Sequence, residues 1–302
     1  MAHVFEQLVT TILQKSPLQK RNVEAFLGAV DETFAVRAER FAVNFPAAME
    51  FCGIDLDQLP IGYAELCKDM LIEQMRFQKT GKYTLSQASE ALETVYHSEE
   101  KMTRYMVGLA ASQFLWPNHY GLFNFFLRMT ASQKPGTYLE IGPGHGLFLA
   151  EAMLLLPDVS ATAIDLSPTS AEMSRAVLKA YGVSDRCEVV VSDANDLPTG
   201  SYDYVVMCEV LEHVDNPMEL MRSIGKLMSE DGSLFITTCS NCPAIDHVYL
   251  YTSADHIRAE IRQAGFDIVD EIALDIDNLP KMANGEKITG CNYAALLKKS
   301  EV

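Results

Sequence analysis

The 302-residue sequence has no run of eighteen apolar residues, about the length that a helix needs to cross a bilayer. It therefore predicts no membrane-spanning segment. The first twenty residues, MAHVFEQLVTTILQKSPLQK, mix acidic and polar residues into an apolar pattern and lack a small-residue cleavage site. They predict an amphipathic helix and not a signal peptide.

Basic residues are scarce, since 24 Lys and Arg face 41 Asp and Glu and give a net charge of −17. Nucleic-acid binding needs clustered Lys and Arg against phosphates, so the composition predicts no nucleic-acid partner. It also disfavours strongly anionic substrates and acidic membrane surfaces, although a local basic pocket could override the global charge.

Cysteines are few and irregularly spaced, and their odd number, seven, argues against a disulfide framework. A reducing, cytoplasmic compartment is the simpler interpretation. CSNC (239–242) contains a C-x-x-C pair, but one pair without a second at ligand spacing is weak evidence for a metal site. We therefore predict no metal.

Two halves of the chain have different apolar patterns. Up to about residue 133, apolar residues recur at helical spacing, with Pro46, Pro60 and the turn at 79–83 as breaks. This pattern predicts helices near 3–15, 18–44, 61–78, 85–96, 98–115 and 118–131. After a short linker, SQKPGT (132–137), short β-rich runs alternate with helical stretches.

The alternating half predicts strands at 137–142, 160–166, 187–194, 202–210 and 232–239, and helices at 145–156, 168–181, 216–229 and 253–264. Near-continuous apolar strands between helices are typical of a parallel sheet covered on both faces. The last two runs, FDIVDEIALD and NYAALLKK, have no helix between them and predict an antiparallel edge hairpin. We expect an α/β fold with a doubly wound, mostly parallel seven-stranded sheet and this hairpin (135–302), preceded by an all-helical domain (1–134).

A glycine turn follows the first strand in YLEIGPGHGLFLAEAM (138–153), where Gly142, Gly144 and Gly146 stand at every second position. Glycine lets the backbone approach a ligand closely, and the following helix offers free N–H groups. A dinucleotide fingerprint would place its third glycine at position 147, which is Leu147 here. The spacing therefore disfavours a nicotinamide-dependent oxidoreductase.

With Glu140 two residues before the first glycine, the motif reads E-x-G-x-G-x-G. From about residue 135 to 302 the chain resembles the class I S-adenosylmethionine-dependent methyltransferases of the small-molecule type. The resemblance implies S-adenosyl-L-methionine as the cofactor and an inventory of binding residues around it. These are Glu140 and the three glycines at the first strand, Asp165 and Leu166 for the ribose, Asp193 and Ala194 for the adenine, and Glu209 within CEVLEHV (208–214).

Charge supports this assignment independently of the motif. The cofactor carries a sulfonium cation, which carboxylates and aromatic faces stabilise, whereas a pyrophosphate would require Lys or Arg. The glycine turn and the ends of the second and third strands carry no basic residue of that kind.

The acceptor side is predicted from two segments. We expect His213 after the fourth strand, and Asp246 and His247 in CSNCPAIDHVYLY (239–251), to be catalytic, with Tyr249 binding substrate. The alternatives are a hydrogen-bonded loop histidine for His213, and residues that cap the next helix and pack its start for the others. In FLWPNHYGLFNFFLRM (114–129) we expect Trp116 and His119 to bind substrate and Tyr120 to lie across the cofactor, although most of these aromatics are expected in the core.

The expected function is methyl transfer to an O, N or S atom of a small molecule, which the long helical cover would bury, possibly at a homodimer contact. Two rivals stay open. One is an enzyme of the same fold that binds the cofactor but catalyses a cyclisation or isomerisation, and the other is a non-catalytic binding protein.

Overall fold

A computed structural model describes residues 3–300 except 97, 198, 201, 277–278, 280, 282–284 and 286. Its first part is helical. The helices are α1 (His3–Lys15), α2 (Lys20–Leu27), α3 (Glu32–Phe51), α4 (Gln58–Thr80), α5 (Ala88–Ala91), α6 (Glu99–Leu115) and α7 (Pro117–Ser132), with a 3-10 turn at Pro17–Gln19 and a π-helical turn at Leu92–Tyr96.

The helix breaks differ in part from the expectation. The single helix predicted over 18–44 is wrong, because the chain leaves helical conformation after α2 and Asp31 caps α3 by accepting from the Phe34 N–H at 2.8 Å. Pro46 does not end a helix but lies inside α3. Pro60 lies in the first turn of α4. Backbone N–H groups of the first turn have no carbonyl partner within the helix, so the missing N–H of proline is tolerated there. The turn after α4 is confirmed, since Gly81 ends that helix with φ 66°.

Helices α4 and α6 cross at two glycines. A Cβ on Gly62 would lie 2.5 Å from the Arg104 carbonyl oxygen, and one on Gly108 would lie 2.6 Å from that of Gly62. The two backbones are therefore in direct contact, which brings one face of α6 to a defined position over the sheet.

The second part is a seven-stranded sheet flanked by helices. Its elements are β1 (Thr137–Ile141), α8 (Leu147–Leu155), β2 (Ser160–Asp165), α9 (Pro168–Ala180), β3 (Cys187–Val191), β4 (Tyr202–Cys208), α10 (Pro217–Leu227), β5 (Met228–Ser240), α11 (Ala254–Gln263), β6 (Phe266–Asp275) and β7 (Cys291–Lys299). The strand order is β3-β2-β1-β4-β5-β7-β6. All pairs are parallel except β7, which runs antiparallel to β5 and β6. The predicted fold class is confirmed.

One hydrophobic core continues from the helical part into the sheet. It includes Phe34 of α3, Phe114 of α6 and Phe126 of α7 together with Phe148 of α8 and Phe235 of β5. Phe126 packs on both Phe148 and Phe235, with ring centroids 5.0 and 5.1 Å apart. The helices thus pack directly on the sheet domain. Among the described residues no helix is both long and apolar enough to span a membrane.

Candidate functional site

A cavity of about 520 Å³ lies where the carboxyl ends of the strands meet α6 and the start of α7. Ligands of open α/β sheets bind at this edge. Among the described residues that line the cavity there is no Lys or Arg. The lining includes six carboxyl groups and four imidazoles: Glu140, Asp165, Asp193, Glu209, Glu219, Asp246, His119, His145, His213 and His247.

The glycine turn forms one wall of the cavity. Gly142, Gly144 and Gly146 have φ angles of 67°, 54° and 75°, a left-handed region that favours glycine. Space is also limiting, because a Cβ on Gly142 would lie 2.9 Å from Val210 and one on Gly146 would lie 2.8 Å from the Ser174 backbone. The turn therefore needs glycine for its backbone conformation and for its close neighbours.

Asp165 ends β2 with its side chain on the cavity. Its two carboxylate oxygens accept from the Ser167 N–H at 2.8 Å and the Gly144 N–H at 3.2 Å. Burial raises the pKa of Asp165 to about 6. Each oxygen keeps a further lone pair, so the carboxylate can hold the turn in place and still accept from ligand hydroxyls.

Glu140 lies beneath the turn and is buried. The Tyr138 hydroxyl donates to its carboxyl at 2.5 Å, and burial raises the pKa of Glu140 to about 8. Glu209, after β4, has a φ of 53°, and its Oε1 is buried without a hydrogen-bond partner. A cationic ligand would stabilise the ionised form of both carboxyl groups.

Leu166, Asp193 and Ala194 also line the cavity. The structure thus brings together at the cavity the residues predicted to bind the cofactor except two: Gly146, which packs on Ser174, and Tyr120; neither is among the described residues that line the cavity. A cavity with many carboxyl groups, no basic lining residue among those described, and an orphaned carboxyl oxygen fits a sulfonium-bearing amino acid. A pyrophosphate does not fit these surroundings.

A second polar cluster contains His213, Asp246, His247 and Tyr105. The Tyr105 hydroxyl donates to Asp246 Oδ1 at 3.0 Å, and the other Asp246 oxygen lies 3.6 Å from His213 Nδ1. The rings of His213 and His247 are 4.9 Å apart. These three predicted catalytic residues therefore lie together at the cavity wall, joined by a tyrosine that the sequence analysis did not select.

Backbone carbonyls determine which ring nitrogens of this cluster carry protons. A carbonyl oxygen only accepts, so His213 Nδ1 donates to the Asp246 carbonyl at 3.0 Å and His247 Nδ1 donates to the Cys242 carbonyl at 2.6 Å. Burial, and then the neighbouring His213, lower the pKa of His247 to about 4. His247 is neutral near pH 7 and its Nε2 is an acceptor.

The same cluster could hold a metal ion. Single ligand atoms of Glu212, His213 and His247 lie within 4.8 Å of one another, as do those of Glu209, Glu212 and Cys239. Glu212 is buried, with one oxygen accepting from Thr238 at 2.7 Å and the other without a hydrogen-bond partner. The Nδ1 atoms of His213 and His247 each donate to a backbone carbonyl, as the non-ligating ring nitrogen of a metal-bound histidine commonly does. The absence of a metal therefore stays a prediction from the sequence.

Two predicted site residues point elsewhere. Tyr120 is not among the described residues that line the cavity. It packs on Phe34 with ring centroids 4.7 Å apart, and its hydroxyl accepts from Arg37 at 3.3 Å. Consecutive residues of α7 face different directions, so His119 reaches the cavity and Tyr120 enters the helical core instead of lying across a cofactor.

Tyr249 is likewise not among the described residues that line the cavity. Its hydroxyl donates to Glu260 of α11, so its assignment as a substrate residue is corrected. The alternative that Asp246, His247 and Tyr249 cap the next helix and pack its start holds only in part. Ser253 caps α11 by accepting from the His256 N–H at 3.1 Å, whereas Tyr249 packs on α11, with its ring centroid 6.4 Å from that of His256.

Trp116 and His119 both line the cavity. The indole N–H of Trp116 donates to Tyr63 at 2.8 Å, so only its ring is available to a ligand. The polar lining residues that were not predicted from the sequence include Tyr105, Gln113 and His145. His145 lies inside the glycine motif and could have been found from it. Tyr105 and Gln113 lie within a helical pattern that predicted only packing.

Comparison with known proteins gives a consistent result. A family model described as a methyltransferase domain matches residues 118–271. The chain is 37% identical over 109 residues to a ubiquinone biosynthesis O-methyltransferase of Xanthomonas campestris pv. campestris. That match covers 35% of this chain and 44% of the relative, so the chain spans less than half the length of the curated relative.

Two solved structures are similar over most of the chain. Mitomycin 7-O-methyltransferase is 15% identical with a TM-score of 0.54, covering 86% of this chain and 75% of that one. An O-methyltransferase family protein from Burkholderia thailandensis is 15% identical with a TM-score of 0.54, covering 82% and 74%. At these identities the likeness shows the fold. The sheet part (135–302) makes up little more than half of the chain. Both alignments therefore extend beyond the sheet part into the helices.

Proposed function

Because this chain belongs to the methyltransferase-domain family and is a class I S-adenosylmethionine-dependent methyltransferase, we propose that its acceptor is a hydroxyl group of an uncharged or cationic small molecule. One observation carries the proposal. The cavity combines an Asp246–His213 pair at its wall with no Lys or Arg among its described lining residues. An anionic acceptor would meet only like charge there.

The cofactor supplies an electrophilic methyl group on a sulfonium. The chain's own residues then bind, orient and exclude water. Carboxyl groups at the strand ends suit the adenosine and the cationic sulfur. An apolar wall from the helical part faces them and excludes water from the acceptor; it comprises Leu66, Met70, Met102, Met106 and Leu109.

His213 is the base in this proposal. Its Nδ1 is committed to the Asp246 carbonyl, so Nε2 is the ring nitrogen that can accept the acceptor's hydroxyl proton as the oxygen–carbon bond forms and the carbon–sulfur bond breaks. The Asp246 carboxylate, 3.6 Å from Nδ1, stabilises the imidazolium that results. His247 Nδ1 instead contacts the Cys242 carbonyl at 2.6 Å and the Cys239 sulfur at 3.9 Å, which are uncharged partners, and this favours His213 as the residue that takes the proton.

Oxygen is preferred over nitrogen and sulfur because the relatives support it. The ubiquinone-pathway relative and the mitomycin enzyme are both named as O-methyltransferases. A thioether acceptor would also need no base, which would leave the His213–Asp246 pair without a role.

The test is turnover with a panel of phenols and hydroquinones, with and without carboxylate substituents. Uncharged members should yield a methyl ether and one equivalent of S-adenosylhomocysteine. A product without S-adenosylhomocysteine would contradict methyl transfer and favour the cyclisation or isomerisation rival. Preferential turnover of the carboxylated members would contradict the proposed acceptor class.

His213→Gln should lower kcat by about 10²- to 10⁴-fold, as expected for loss of a general base, with S-adenosylhomocysteine affinity unchanged. His247→Ala should also lower turnover without changing that affinity. His256→Gln, at a histidine that bonds Thr252 on the surface, is the matched control. Activity that EDTA abolishes and a divalent ion restores would show metal activation, with Glu212, His213 and His247 as candidate ligands, and would contradict His213 as the base.

A further inference from the structure

Helix α6 crosses directly over the glycine turn. A Cβ on Gly144 would lie 3.3 Å from the Met106 sulfur. Leu109 and Gln113 follow three and seven residues later, on the same face of the helix, and both line the cavity. With a rise of about 1.5 Å per residue, Gln113 lies roughly 10 Å further along the axis than Met106.

Gln113 has an unmet hydrogen-bonding requirement at that point. Its side chain is 7% exposed and its Oε1 is buried without a hydrogen-bond partner. A buried amide oxygen without a partner costs free energy that a ligand donor would recover. Nothing in the methyl-transfer step described above uses this group.

His119 presents a hydrogen-bond acceptor in the same cavity as Gln113. The Ser112 hydroxyl donates its single proton to the Leu109 carbonyl at 2.6 Å. The 2.8 Å contact between Ser112 Oγ and His119 Nδ1 must therefore use a proton on the ring. Burial lowers the pKa of His119 to about 4, so the ring is neutral and Nε2 carries a lone pair.

His145 presents the opposite polarity. Its Nδ1 accepts from the Leu147 N–H at 3.2 Å. Burial, and then the nearby His119, lower its pKa to about 3, so the neutral ring carries its proton on Nε2 and donates there. His119 and His145 are thus two uncharged imidazoles in proximity, one an acceptor and the other a donor.

The position of this group relative to the adenosine end of the site is also defined. Asp165 and Asp193 follow β2 and β3 on one side of β1. Asn118, the residue before His119, donates to Asn292 of β7 at 3.1 Å, so the start of α7 lies on the β7 side of β1. A ligand that spans the cavity from Asp165 to the start of α7 would therefore cross the glycine turn.

We propose that Gln113, His119 and His145 form an uncharged cradle for the α-amino acid end of S-adenosylmethionine. In this arrangement the ammonium group donates to His119 Nε2 and Gln113 Oε1, and the carboxylate accepts from His145 Nε2–H. A zwitterion has no net charge, so it needs donors and acceptors but no basic residue. The proposal depends on the cofactor and not on the identity of the acceptor, and it reassigns His119 from the substrate to the cofactor.

Calorimetric titration with two ligands tests the cradle. S-adenosylhomocysteine has the amino acid end, and 5′-methylthioadenosine keeps the adenosine and sulfur without it. Gln113→Leu and His119→Phe should each weaken S-adenosylhomocysteine binding about tenfold or more, the range for hydrogen bonds to charged groups. Affinity for 5′-methylthioadenosine should stay within about twofold, which also shows that the variants are folded.

Ser112→Ala provides a gentler variant, because it removes only the acceptor that orients His119. It should weaken S-adenosylhomocysteine binding by a smaller factor and leave 5′-methylthioadenosine unaffected. Equal weakening of both ligands would show a structural role and overturn the cradle. Unchanged affinity for both, with a raised KM for the acceptor, would assign these residues to the acceptor and overturn it too. Cofactor binding by the wild-type protein would stand in either case.

Discussion

At the scale of single residues, Asp165 combines a structural and a ligand-binding role. It ties the Gly144 and Ser167 backbones to the end of β2 while its carboxylate faces the cavity. An acidic residue at the end of the second strand could be found in the sequence, since it follows a strand of recognisable pattern. Its hydrogen bond to the glycine turn could not be predicted from the sequence, because it joins residues that are 21 apart.

Asp165→Ala should weaken S-adenosylhomocysteine binding by on the order of 2 kcal/mol or more, because two hydroxyl contacts to a charged group are lost. Calorimetric titration of the wild type and the variant measures the loss. Asp165→Asn is the matched variant that keeps side-chain size and removes the charge. Equal affinity in wild type and Asp165→Ala would refute the ribose assignment.

The same carboxyl group should make cofactor binding depend on pH. Its pKa in the ligand-free protein is about 6, and ribose hydroxyls donate best to the ionised form. Affinity should therefore fall as pH decreases through 6, and binding near that pH should release a proton. Titration in buffers of different ionisation enthalpy measures the release. In Asp165→Asn the release near pH 6 should be smaller, with the remainder coming from Glu140 and Glu209, whose pKa values burial raises; an unreduced release would assign it wholly to other groups.

Tyr120 and Tyr249 show the limit of sequence reasoning at this scale. Both lie in aromatic or polar segments that were predicted to contact a ligand. Instead, the Tyr120 ring packs on Phe34 and the Tyr249 hydroxyl donates to Glu260. One residue earlier on α7, His119 faces the cavity. Direction around a helix depends on which face packs on the sheet, and aromatic character alone does not reveal that face.

At the scale of elements, the crossing of α4 and α6 positions the cavity wall. Gly62 and Gly108 bring the two backbones into contact, and α6 carries Tyr105, Met106 and Gln113 to the site. The sequence predicted both helices from their periodicity. It did not predict their crossing, because the two glycines are 46 residues apart and each one alone only weakens a helix.

Gly108→Ala should destabilise the fold by about 1–3 kcal/mol, since the new methyl group must displace the Gly62 backbone. Urea denaturation measures the change as a lower midpoint. Gly28→Ala is the matched control at a helix end with ordinary φ of −73°, and its change should be within about 0.5 kcal/mol. A Gly108→Ala protein as stable as the wild type would show that the crossing can relax.

At the scale of the whole molecule, the predicted boundary at residues 134 and 135 does not separate two cores. Phe114 and Phe126 share one cluster with Phe148 and Phe235, and the matched family region begins at residue 118, within α7. We therefore expect the helical part and the sheet to unfold together.

Two probes can test this cooperativity. Trp116, the single tryptophan, reports on the helical part through its fluorescence. Cys239 and Cys291 are buried thiols of β5 and β7, and their labelling reports on the sheet. Their urea midpoints should coincide. Separate midpoints would contradict the shared core and support two independent domains.

The order of strands and helices, the mostly parallel sheet with its antiparallel hairpin, and the acidic and glycine landmarks were determined by the sequence alone. Each depends on local periodicity, turn chemistry or short motif spacing, all of which act between near neighbours. Only the tertiary structure decided that Tyr105 supports Asp246, that Tyr120 leaves the site, and that Gln113, His119 and His145 line one cavity with the glycine turn. Those outcomes depend on how α6 and α7 pack on the sheet, and packing joins residues whose separation along the chain carries no local signal.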